Sequence, residues 1–73
     1  MVTYKFLYEI HGEYVYEYYV EGKNEFAGKV AIKAKKEGRV LELAPNDEFK
    51  TYAFHAINGI DAPNEKSGTV AWY

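Results

Sequence analysis

The sequence predicts an α+β fold: a five-stranded, mostly antiparallel sheet (β-β-β-β-α-β along the chain) with one helix packed on one face. Three observations predict it. Apolar and polar residues alternate with period two through most of Val2–Ala44. Apolar residues then recur at helical spacing from Phe49 to Ile57. A short β-rich segment, Gly68-Thr-Val-Ala-Trp-Tyr73, follows a polar loop.

Seventy-three residues make one domain, 1–73. A domain of this size buries only about 60% of the surface its unfolded chain exposes. With no cysteine there is no disulfide or thiolate metal site to staple it. The core must come from aromatics, which make up 18% of the chain. Each buried ring removes roughly 150–250 Å² from water.

In the first strand, Val2, Tyr4, Phe6, Tyr8 and Ile10 share the inward face. His11-Gly-Glu13 reads as a three-residue turn in which Gly12 is free to take a positive φ. The second strand, Tyr14–Val20, carries four tyrosines in seven residues, with Tyr14, Tyr16, Tyr18 and Val20 inward. That turn pairs Ile10 with Tyr14, Tyr8 with Tyr16 and Phe6 with Tyr18, keeping both apolar sets on one side. Glu21–Glu25 is a second turn. A third strand, Phe26–Lys35, sets Phe26, Gly28, Val30, Ile32 and Ala34 inward. Its register puts Glu17 opposite Lys29 and Glu13 opposite Lys33, each worth roughly 0.2–1 kcal/mol. Gly28 marks a bulge or close packing against a tyrosine.

Glu37-Gly38 reads as a hairpin turn leading to a fourth strand, Arg39–Ala44. This pairs Ala34 with Leu41, Ile32 with Leu43 and Lys33 with Glu42. Pro45-Asn-Asp-Glu48 opens the helix, with Asn46 or Asp47 as its N-cap. Phe49, Tyr52, Ala53, Ala56 and Ile57 form the buried stripe, and Asn58-Gly59 ends it. After the loop Asp61–Ser67, the fifth strand either sits beside the first, in the order 5-1-2-3-4, or beside the fourth as a right-handed crossover.

Nine basic and eleven acidic residues give a net charge of −2, a solubility charge and not a nucleic-acid field. Lys29, Lys33, Lys35, Lys36 and Arg39 gather on strands three and four, but Glu13, Glu17 and Glu42 interleave with them, which argues against a stacking platform. No apolar run reaches the ~20 residues needed to span a bilayer. Met1-Val-Thr-Tyr-Lys has no signal-peptide pattern, so the expected location is cytoplasmic.

Catalytic patterns are weak. Glu13, Glu17 and Glu21 share a face, but neighbours in that row are about 13 Å apart. Paired carboxylates at a glycosidic bond need roughly 5–9.5 Å. His11 and His55 lack metal-ligand spacing, and the glycines form no phosphate loop, so no metal or cofactor is implied. What charge pairing leaves unexplained is an outward apolar island of Leu7, Val15, Tyr19, Ala27 and Ala31; Phe54, off the helix stripe, is expected to be exposed too.

Gly68-Thr-Val-Ala-Trp-Tyr73, after the helix Tyr52-Ala-Phe-His-Ala-Ile57 and a tyrosine-rich hairpin, resembles small hypothetical proteins of Gram-positive bacteria from mobile-element or phage-derived regions. The resemblance implies a bacterial cytoplasmic accessory protein and carries no catalytic residues. The expectation is a non-enzymatic interaction module that binds itself or another protein. Its contact residues would be Leu7, Val15, Tyr19 and Phe54, or the free edge of the fourth strand. The alternative is a small-ligand or enzymatic site between helix and sheet, using tyrosine hydroxyls with His55.

Overall fold

The structure, a computed structural model, describes residues 1–23, 25 and 27–71. The inward placement of Phe26, and the strand expected at Trp72 and Tyr73, lie outside them. The elements are β1 (Val2–Ile10), β2 (Glu13–Val20), β3 (Ala27–Ala34), β4 (Glu37–Glu42), α1 (Thr51–Gly59) and β5 (Ser67–Val70). They form one antiparallel sheet in the order β4-β3-β2-β1-β5, with α1 packed across one face. β5 therefore sits beside β1, and the crossover beside β4 is excluded.

The first hairpin departs from simple alternation. Its turn has two residues, His11 and Gly12, at φ 51° and 79°, and Ile10 pairs with Glu13. Two central residues at positive φ match the right-handed twist of the flanking strands. This turn alone would set every inward residue of β1 against an outward one of β2. The conflict is resolved by a register shift between Phe6 and Tyr8, which leaves Leu7 as the extra residue of a bulge. Before the bulge, Val2, Tyr4 and Phe6 oppose Val20, Tyr18 and Tyr16, all facing the helix. Beyond it, Tyr8 opposes Val15 and Ile10 opposes Glu13. The expected pairs Ile10–Tyr14, Tyr8–Tyr16 and Phe6–Tyr18 do not form, and Tyr8 and Ile10 lie on the outer face.

The second hairpin keeps its expected register, with Glu17 opposite Lys29 and Tyr18 opposite Gly28. The third does not. It turns at Lys35-Lys36, with Lys36 at φ 59°, and Gly38 lies within β4 opposite Ile32. A Cβ at Gly38 would come within 2.6 Å of the Ala31 carbonyl oxygen and 3.2 Å of Ile57. Gly38 thus serves the close approach of the β3 backbone and of Ile57, and not the turn. Leu41 is shed into a second irregularity and is exposed, while Ala34 is also exposed. Glu42 faces Lys29 in place of Lys33.

One cross-strand row organises the core. Gly68, Tyr4, Tyr18 and Gly28 are successive register partners on β5, β1, β2 and β3. A Cβ at Gly28 would lie 2.3 Å from a Tyr18 ring carbon, and one at Gly68 would lie 2.6 Å from the Tyr4 hydroxyl. Both rings therefore occupy space that only glycine leaves open. Tyr16 packs edge-on against Tyr4 and Phe6, at centroid distances of 5.8 and 5.4 Å.

Tyr18 also carries the bond that fixes the helix. Its hydroxyl accepts from the Ala44 backbone N–H at 2.9 Å and donates to Asp47 Oδ2 at 3.1 Å. The Asp47 carboxylate, 2% exposed, accepts from the backbone N–H of Tyr52 and of Ala53, each at 3.0 Å. Asp47 thus does the work of an N-cap from within the preceding turn, while the residue flanking the helix is Lys50, at φ 62°. The helix consequently starts at Thr51, later than its apolar spacing implies. Phe49, expected in the buried stripe, precedes it and is 82% exposed. Ala53, Ala56 and Ile57 form the buried face. Burial, opposed in part by the Ala44 bond, pushes the Tyr18 hydroxyl up to about 12.

Candidate functional site

The face of the sheet turned away from α1 is built of cross-strand rows. One runs Lys5, Glu17, Lys29, Glu42 across β1, β2, β3 and β4, alternating in sign at every step. On one side of it lies Thr3, Tyr19, Ala27, and on the other Tyr8, Val15, Ala31, Arg39. The apolar island expected from the sequence is therefore split in two by a charged row.

Of the expected contact residues, Val15 is on the outer face but only 1% exposed, as is Ala31 opposite it. Leu7 sits in the bulge and is half-buried. Tyr19 is half-buried and its hydroxyl donates to Glu17; that carboxylate, with burial, pushes the phenol up to about 12. Phe54 is 53% exposed on the helix, remote in sequence and element from the sheet face. Leu7 precedes Tyr8, the residue that faces Val15, and the charged row separates Tyr19 from this pair.

The bulge adds two residues that alternation assigned to the core. Tyr8 is 48% and Ile10 47% exposed, with Tyr8 directly opposite Val15. The legible signal was the His11-Gly12 pair, since a two-residue turn there forces an odd register that the apolar faces contradict. The same stretch of β1 has an open edge. Among the described residues β5 pairs with Val2–Lys5, and beyond it Phe6 N–H donates to the Lys66 carbonyl at 2.6 Å. Lys66 then lays its ammonium over the Phe6 ring, 4.3 Å from the centroid.

Arg39 braces the far side. Its guanidinium donates to both Glu13 oxygens, at 3.2 and 3.0 Å, from β4 to β2. The arginine stem crosses β3 at the level of its register partner Ala31, whose methyl leaves room for it. The Arg39 bond, aided by the charges of Arg39 and Lys33, holds the Glu13 carboxyl below its usual range, and Arg39 is raised in turn.

The space between helix and sheet is filled by side chains whose hydroxyls are engaged. Tyr16 donates to the Glu65 carbonyl, Tyr18 to Asp47, and Tyr52 to Glu21 at 2.6 Å. A half-open groove of about 310 Å³ lies at the helix C-terminus, lined by Lys35, Asn58, Gly59, Ile60 and Asp61. Neither His55 nor a tyrosine lines it. Among the described residues no group of three or more His, Asp or Glu side chains is placed to hold a metal ion. Among the described residues no helix is long and apolar enough to cross a membrane. No protein-family model, curated protein or solved structure matches the chain.

Proposed function

We propose that this chain is a small non-enzymatic interaction module, contacting a protein partner through the outer sheet face around the open half of β1. One observation carries the reading. The bulge at Leu7 turns Tyr8 and Ile10, two large side chains each about half exposed, onto the outer face where β5 leaves the strand edge unpaired. Contiguous exposed apolar residues and unpaired edges are the features that recruit partners. Tyrosine is also well suited to contacts, offering a large rigid surface with a polar tip. In this reading the protein is an accessory factor of a bacterial cytoplasm, the setting its resemblance to mobile-element and phage-derived proteins implies.

The experiment is an in-cell crosslink with a photoreactive residue at position 8 or 10, beside one at Lys23 on the opposite end of the hairpin. Specific adducts at 8 and 10 that disappear on Ile10→Lys support the reading. Equal, nonspecific labelling at all three positions overturns it.

A further inference from the structure

We propose that the partner of the outer sheet face is a second copy of this chain, docked face to face about a two-fold axis parallel to the strands, between β2 and β3. This rests on the interaction-module reading and names its partner. Such an axis lays each cross-strand row over its own reverse. The row Lys5, Glu17, Lys29, Glu42 then sets Lys5 against the other copy's Glu42 and Glu17 against its Lys29, with opposite charges at all four positions. The neighbouring row sets Tyr8 against Arg39, and the row beyond sets Tyr19 against Ala27, large against small.

Complementarity between β2 and β3 follows in part from their pairing within one sheet. Between β1 and β4, which are not neighbours, it follows from the alternation of sign along an even-numbered row. Lys5 and Glu42 do not face each other inside one chain, and neither do Tyr8 and Arg39, yet the axis brings both pairs together. Tyr8 is 48% exposed and the Arg39 side chain 64%, while the Arg39 guanidinium also holds Glu13. A guanidinium stacked on a tyrosine ring is a favourable contact, and symmetry supplies it twice. Twist does not spoil the match. Packed sheets cross at about 30°, and β1 and β4 lie about 7 Å from the axis. Their residues are displaced by about 4 Å along the strand, within the reach of lysine, arginine and tyrosine.

The test is sedimentation velocity of the wild-type chain and of a row-reversed variant, Lys5→Glu/Glu17→Lys/Lys29→Glu/Glu42→Lys, which keeps the net charge and every opposite-sign neighbour within the sheet. Both should dimerise, with association weakened about tenfold or more between low and high salt. Mixed, they should not form heterodimers by native mass spectrometry, because like charges then face each other across the axis. Tyr8→Lys should weaken the dimer by a similar factor and Tyr8→Phe should retain it, which keeps the test open if the row-reversed chain does not fold. A wild-type chain monomeric at millimolar concentration, heterodimers in statistical yield, or a dimer indifferent to Tyr8→Lys would overturn the proposal. A monomer that still crosslinks specifically to another protein through position 8 would overturn it while leaving the interaction-module reading intact.

Discussion

Replacing Asp47 should remove a large part of the stability of this fold. The carboxylate is 2% exposed and accepts three hydrogen bonds: from the Tyr18 hydroxyl and from the backbone N–H groups of Tyr52 and Ala53. Losing a side-chain cap costs about 1 kcal/mol. Leaving a buried donor without an acceptor costs about 1–3 kcal/mol, and both the Ala53 N–H and the Tyr18 hydroxyl would be so left. Asp47→Ala should therefore cost about 3–7 kcal/mol, against a total of about 4–11 kcal/mol for 73 residues at ordinary stability per residue. Asp47→Asn keeps one accepting oxygen and should cost about half as much. Tyr18→Phe should cost about 1–2 kcal/mol, and the two sites should couple in a double-mutant cycle because they share one bond. Urea unfolding followed by far-UV circular dichroism measures all three. An Asp47→Ala variant within 0.5 kcal/mol of wild type, or additive Tyr18 and Asp47 effects, would refute the reasoning that this node ties helix to sheet.

Three further outcomes are expected. Gly28→Ala should destabilise by about 1–3 kcal/mol, because its Cβ meets the Tyr18 ring at 2.3 Å and the Ala44 nitrogen at 2.7 Å; a neutral effect in chemical denaturation would remove the tyrosine-over-glycine packing. Ile10→Lys should change stability by less than about 1 kcal/mol since Ile10 faces solvent, whereas Tyr16→Lys should unfold the protein; similar losses in thermal melts would contradict the bulged register. Burial, with Glu65 acting on Tyr4, moves the hydroxyls of Tyr4 and Tyr18 up to about 12 from 10, so the folded state favours their neutral forms. That contribution is complete below pH 10 and is lost as pH rises towards 12, so stability should fall by about 4–6 kcal/mol over that window; a urea midpoint unchanged to pH 12 would show these rings are not buried as described.

Much of the fold was legible in the sequence, and what was not has physical causes. The register of β2 on β3 follows from period-two alternation reinforced by Glu17 facing Lys29, and the helix from its apolar spacing, whereas the place of β5 beside β1 was one of two alternatives that the sequence left open. Gly28 was readable as a site of tyrosine packing because a lone glycine in a strand signals close approach. The misplaced features all arise where two local rules compete. At the first hairpin, alternation favours a three-residue loop while His11-Gly12 favours a two-residue turn, and the bulge at Leu7 satisfies both at the cost of one unpaired residue. Alternation alone cannot show this, so Tyr8 and Ile10 were assigned to the core. At Gly38, turn chemistry and close packing both ask for glycine, and the approach of the Ala31 carbonyl oxygen, with Ile57 behind it, decides. Before the helix, apolar spacing extends back to Phe49, but Asp47 reaches Tyr18 and two helix N–H groups only if the chain turns first, which expels Phe49. Of the expected contact residues, Val15 was rightly placed outward, yet its burial between Tyr8 and Ala31 depends on the same bulge.

The claim on which the functional reading depends is that Leu7 is the extra residue and Tyr8 points away from the helix. A nuclear Overhauser spectrum of the folded protein, with Val15 methyl groups and tyrosine rings assigned, tests it directly. Strong contacts between the Tyr8 ring and the Val15 methyls, together with contacts between the Phe6 and Tyr16 rings, are the predicted result. Contacts from Tyr8 to Tyr16 or to the methyls of α1, with none to Val15, would put Tyr8 back in the core and leave the outer face without its principal contact residue.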